Sequence, residues 1–123
     1  MEILSVVNDR DEVVGHASRE KIDTEGLSFR TVGILIENDD GELLLHRRSR
    51  KKTTGSGKWT LSVYGAVQSG EDYLTAALRE VREEMGISVT REELEQLLHT
   101  SFIRSNGREF AKIFRLNYSK IVC

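Results

Sequence analysis

The segment Leu74–Met85 limits what this chain can fold into more than any other. On a helical wheel Leu74, Ala77, Leu78, Val81 and Met85 share a stripe about 100° wide, the width with which a helix packs on a core. Glu80, Glu83 and Glu84 occupy a second arc of about that width on the far side, with Glu80 and Glu84 one turn apart. Such a helix must lay its apolar side on another layer, and its acidic side is free for water or a cation. The spacing predicts a helix near Glu71–Met85, opened by a capping pair, Ser69 with Asp72, and closed by Gly86. A shorter helix is expected near Arg91–His99 behind a second pair, Thr90 with Glu93.

The layer beneath reads as β-hairpins. Val6–Val7 and Val13–Val14 flank Asn8-Asp9-Arg10-Asp11, Thr31–Glu37 and Glu42–Arg47 flank Asn38-Asp39-Asp40-Gly41, and Thr100–Arg104 and Glu109–Tyr118 flank Asn106-Gly107. Lys51–Lys58 is the most loop-like stretch. Together these predict an α/β chain, a mixed sheet carrying at least two helices. With 123 residues there is room for one domain, residues 1–123, burying roughly two-thirds of its unfolded surface.

Composition excludes several classes of function. No apolar run approaches the ~20 residues that cross a bilayer. The first residues carry Glu2, Asp9, Asp11 and Glu12 rather than a basic and then apolar leader, so a cytosolic location is expected. Cys123 is the single cysteine, which leaves no internal disulfide or cysteine-rich zinc site. A net charge of −2 gives no global attraction to nucleic acid, although Arg47, Arg48, Arg50, Lys51 and Lys52 form a local basic run. His16, His46 and His99 lack metal-ligand spacing. Gly55-Ser56-Gly57-Lys58 is not a phosphate-binding loop, because Lys52 and Trp59 stand where glycine and a hydroxyl residue are required.

Carboxylates one turn apart cost a helix a few tenths of a kcal/mol, roughly, and gain a purpose if a divalent cation sits among them. A solvated acidic face is the alternative. The surrounding order decides between them: Gly65, five residues, Glu71, seven residues, then Arg79-Glu80-Val81-Arg82-Glu83-Glu84-Met85-Gly86-Ile87. This resembles the Nudix box at every specified position, and chance would produce it in such a chain with a probability on the order of 10⁻⁸. The stretches Asn8–Gly15, Val32–Ser49 and Lys58–Ser69 also resemble the Nudix branch that includes isopentenyl diphosphate isomerases.

The resemblance implies a Nudix fold, a mixed sheet sandwiched by helices, and hydrolysis of a pyrophosphate bond in a nucleoside diphosphate derivative. It implies Mg²⁺, with Mn²⁺ able to substitute, held by Glu83, Glu84 and the Gly65 carbonyl, with Glu80 as a further ligand or as general base. Arg79 would orient the glutamates and Glu71 would support the loop entering the helix. Glu109, on the strand after Asn106-Gly107, is expected to add a distal carboxylate, as in the isomerase-like relatives. Isomerase activity itself is not expected, because Leu61-Ser62-Val63-Tyr64-Gly65-Ala66 contains neither the cysteine nor the histidine it needs. A non-catalytic nucleotide- or protein-binding module is the competing class. Tyr64 or Trp59 could stack on a base, favouring a simple nucleoside di- or triphosphate. Relatives of this kind continue past the strand ending near Tyr118, so the C-terminus reads as shortened; a homodimer covering Phe114, Leu116 and Ile121 is the expected compensation.

Overall fold

The computed structural model describes residues 2–37, 43–44, 46–47, 59–60, 63–104 and 107–117. Strands β1 (Ile3–Val7) and β2 (Val13–Ser18) form the first hairpin. Its turn is closed by Asn8, whose side-chain oxygen accepts from the backbone N–H of Arg10 and Glu12 at 2.9 and 3.0 Å. Helix α1 (Arg19–Glu25) follows directly, a helix the sequence analysis does not anticipate. Its signals are present nonetheless: Ser18 caps it by accepting from the Lys21 N–H, and Gly26 ends it at φ 69°.

The central strand is β3 (Ser28–Glu37). It pairs with β1, with β4 (Leu43–Leu44), with β7 (Val63–Ala66) and, in parallel over nine residues, with β9 (Arg108–Asn117). The order β2-β1-β3-β9-β8 runs through the main sheet, with β8 (Leu94–Ile103) antiparallel to β9 at one edge. A separate pair joins β5 (His46–Arg47) to β6 (Trp59–Thr60).

Strand alternation divides the core. Val32, Ile34 and Ile36 of β3, with Val63, Phe114 and Leu116, face α2 (Tyr73–Met85) and meet its Tyr73, Ala76, Ala77 and Val81. Phe29, of opposite parity, joins Leu4, Val6, Ala17 and Ile22 beneath α1. One helix therefore lies on each face, the sandwich expected from sequence. All three hairpins are present in the described residues, while the Asn38–Gly41 turn, the basic run beyond Arg47 and the loop Lys51–Lys58 lie outside them.

Three expectations are corrected. Arg91–His99 is not a helix: the capping box of Thr90 and Glu93 forms, but closes only a single 3-10 turn, Arg91–Glu93, after which β8 begins. Leu94, Leu97 and Leu98 have helical spacing, yet only Leu94 is buried, and pairing with β9 along the whole strand outweighs that local pattern. The box helix is capped by Asp72, which accepts from the Thr75 N–H at 2.7 Å, rather than opened by a Ser69–Asp72 pair. Phe114 and Leu116 are 4% and 0% exposed within the chain's own core, which removes the stated basis for a homodimer; Ile121 lies outside the described residues.

Candidate active site

The side chain that organises the acidic helix is Arg79. Its Nε–H and one Nη2–H grip both oxygens of Glu71 at 2.7 and 2.9 Å, and Nη2 also donates to the Ala66 carbonyl at 2.9 Å. Nη1 donates to Glu80 at 2.7 Å and Glu83 at 3.1 Å. All five donors of the guanidinium are thus used, in the planar fork that only arginine offers. Glu71 in turn accepts from the Gln68 N–H at 2.9 Å, so the Arg79–Glu71 pair ties the loop after β7 to the helix.

Glu80 does not share the solvated arc with Glu83 and Glu84. It is 8% exposed and lies on the inner side of α2 with Ala76, Ala77 and Val81, whereas Glu83 and Glu84 are exposed. Room for it comes from Gly65: a Cβ there would sit 2.3 Å from the Glu80 carboxyl carbon. Burial pushes the Glu80 carboxyl above its ordinary value, Arg79 opposes that rise, and Glu83 and Glu84 add to it. The sequence wheel misplaces Glu80 because it cannot show that a glycine on the facing strand leaves a carboxylate-sized gap.

Gly65, Glu71, Arg79, Glu80 and Glu83 are therefore brought together, with Glu84 exposed on the same helix. Three carboxylates, Glu71, Glu80 and Glu83, bond one guanidinium while Glu84 adds a fourth negative charge felt by Glu80, and the excess negative charge suits a hard divalent cation bound through oxygen. Among the described residues no three acidic or histidine side chains converge as a preformed metal cage. Glu83 and Glu84 are the exposed carboxylates of this helix.

Glu109 is not brought to this cluster. Its register partner is Phe29, which places it on the α1 face of the sheet, where its carboxylate accepts from Thr31 Oγ1 at 2.8 Å and from the Tyr64 hydroxyl. The Tyr64 ring remains 45% exposed on that same face, beside Gly33 in the register. The side chain of Trp59 lies outside the described residues.

A second polar cluster escaped the sequence reading. Asp11, held at φ 60° with its side chain 8% exposed, accepts from Arg30 Nε at 2.7 Å and the Tyr73 hydroxyl at 2.6 Å, and pairs with His99 Nε2 at 2.8 Å. Its strained non-glycine backbone is the only local hint, and that is invisible in a sequence.

An α/β sandwich whose loop–helix–loop buries an Arg–Glu cluster against a strand glycine is a defined structural class, and comparison with known proteins identifies it. The NUDIX domain model matches residues 27–120. An uncharacterised Nudix hydrolase of Pseudomonas aeruginosa is 39% identical over 86 residues, 70% of this chain and 51% of that protein. An isopentenyl-diphosphate Delta-isomerase of Serratia proteamaculans is 38% identical over 96 residues, 78% of this chain and 52% of the isomerase. The crystal structure of DR0079 from Deinococcus radiodurans superposes with a TM-score of 0.68 at 34% identity, covering 93% of this chain and 72% of that one. This chain belongs to the Nudix family, and it spans about half the length of these two curated relatives.

Gly65 supplies a direct test of the site. In Gly65→Ala the new methyl group must displace a carboxylate that Arg79 holds at 2.7 Å. We expect a folded protein destabilised by about 1–3 kcal/mol, as for other overpacked sites, with the Glu80 carboxylate moved and any hydrolytic turnover the site supports reduced. Thermal melts and rates on this variant check both; wild-type rates would show that the gap serves packing alone.

Proposed function

We propose that this chain hydrolyses the pyrophosphate bond of a nucleoside di- or triphosphate, or of another nucleoside diphosphate derivative, with Mg²⁺ as cofactor and Mn²⁺ as a substitute, in the cytosol. The observation that carries this reading is the buried Glu80, set against Gly65 and tied by Arg79 to Glu71 and Glu83. Glu80, Glu83, Glu84 and the Gly65 carbonyl are the groups that would hold the cation, which neutralises phosphate oxygens and makes water more acidic. Glu80 is suited to accept a proton from the attacking water, since its burial raises its basicity. Arg79 fixes the direction of that carboxylate. Isomerase chemistry, which the Serratia relative's name describes, is not carried over, because Leu61–Ala66 lacks the cysteine and histidine.

The test is phosphate or pyrophosphate release from nucleoside di- and triphosphates, nucleotide sugars, ADP-ribose and dinucleotide polyphosphates, with and without Mg²⁺. Metal-dependent turnover of at least one, fastest for a mononucleotide, is the expected outcome. Nucleotide binding without turnover of any of them assigns the chain to the binding-only class instead.

A further inference from the structure

We propose that the cleft between the β1–β2 turn, the first turn of α2 and strands β8 and β9 binds a small organic anion, an oxyanion carried on an apolar chain or ring. The cleft has a volume of about 620 Å³, within the range of small-molecule sites, and contains none of the box glutamates. Its charged wall is Arg10, Arg30 and Lys112, and its apolar floor is Leu74, Leu94 and Phe114.

The division of labour among the charges points to an anion. Asp11 is already satisfied by Arg30, Tyr73 and His99, so the buried carboxylate and Arg30 cancel each other. Asp72 is committed to capping α2 and faces Arg91 at 3.6 Å. What is left over is positive. Among the described residues the Lys112 ammonium has no hydrogen bond or ion pair; it lies 4.8 Å from the Tyr73 ring centre. The Arg10 side chain likewise has no acidic partner among them, since only its backbone N–H is used in the turn. Two uncompensated cations beside an apolar floor match an amphipathic anion better than a free inorganic one.

The Asp11 network gives the cleft its rigidity. It clamps an αL aspartate on the turn to β3, β8 and α2 at once, which fixes Arg10 relative to Lys112. Glu80 stands seven positions after Tyr73, about 10 Å along the helix axis, so the cleft lies apart from the acidic cluster.

Titration of the metal-free protein in EDTA with hexyl phosphate and with hexanoate, followed by NMR, tests the proposal independently of any hydrolysis. At least one of the two should saturate a single site, shifting the His99 ring and Lys112 amide signals. Inorganic phosphate and 1-hexanol should each bind at least tenfold more weakly. Lys112→Met and Arg10→Gln should each cut affinity tenfold or more; Arg10 sits on an exposed turn, so its variant keeps the test valid should Lys112→Met fold poorly. Absence of binding by both amphiphiles at millimolar concentration overturns the proposal. So does equal binding by 1-hexanol, or unchanged affinity in Arg10→Gln.

Discussion

Glu80→Gln should lower turnover at saturating Mg²⁺ by a factor on the order of 10²–10⁴, the range in which removal of a general base falls. The amide keeps the side chain's size in the gap beside Gly65, and saturating Mg²⁺ offsets the metal affinity lost with the charge, so the remaining loss reports on proton transfer rather than on packing. Glu83→Gln and Glu84→Gln, at exposed positions, should behave differently, losing metal affinity and rate together while the metal-free protein keeps its melting temperature. A pH signature accompanies the first variant. Because burial holds the Glu80 carboxyl above its ordinary value of 4.5, the folded protein binds that proton more tightly than the unfolded chain does. The resulting support for the fold is complete below 4.5 and is lost as pH rises through the raised value. Glu80→Gln cannot titrate, so above that window the metal-free variant should be the more stable protein, and its stability should vary less with pH. Mg²⁺ acts in the opposite sense on the wild type, binding more tightly as Glu80 ionises. Full activity of Glu80→Gln would remove it from the chemistry; full activity of both Glu83→Gln and Glu84→Gln would remove the metal assignment.

Arg79→Ala should be the most destabilising single change in the site. The guanidinium is 11% exposed and is bonded to Glu71 and Glu80, whose side chains are 14% and 10% exposed. Its removal leaves two nearly buried carboxylates without a counter-charge, a situation that costs about 3–5 kcal/mol. The melting temperature should fall on the order of 15 °C for a domain of this size. Arg79→Lys should recover only part of this, because one ammonium cannot reach Glu71 in a fork and Glu80 as well. Mg²⁺ should narrow the gap between variant and wild type by replacing some of the lost positive charge. An Arg79→Ala protein that melts within about 2 °C of the wild type would show that solvent screens the cluster far more than its burial implies.

Much of this site is legible in the sequence because it is local. Residues 65–87 are contiguous, and the spacing of Glu71, Arg79, Glu80, Glu83 and Glu84 along one loop and helix determines which of them meet. The three hairpins are legible for the same reason, each being a turn between two strands adjacent in sequence. What sequence patterns miss depends on partners far along the chain. Leu94–His99 is helical by spacing and a strand by virtue of β9; Glu80 is on the solvated arc by angle and inside by virtue of Gly65. Glu109 misleads in another way, since a hairpin returning toward the box helix does not say which face of the sheet receives a given side chain. Asp11 is the extreme case, joining residues 30, 73 and 99 that share no motif.

The parallel pairing of β3 with β9 also bears on how the chain acquires this structure. The backbone N–H of Arg108 is bonded to Ser28 across 80 residues, and the pairing continues from Phe29 with Glu109 to Glu37 with Asn117. Closing a loop of that length is costly before any contact rewards it, so the middle of the sheet should assemble slowly, on a timescale of milliseconds to seconds. Until β9 arrives, one flank of β3 lies bare and Val32, Ile34 and Ile36 lack Phe114 and Leu116. On the ribosome the box helix is synthesised well before the strand that completes its floor. The nascent chain therefore passes through a stage with an acidic helix, an open apolar strand and no finished core, and this interval is where aggregation and chaperone capture compete with folding.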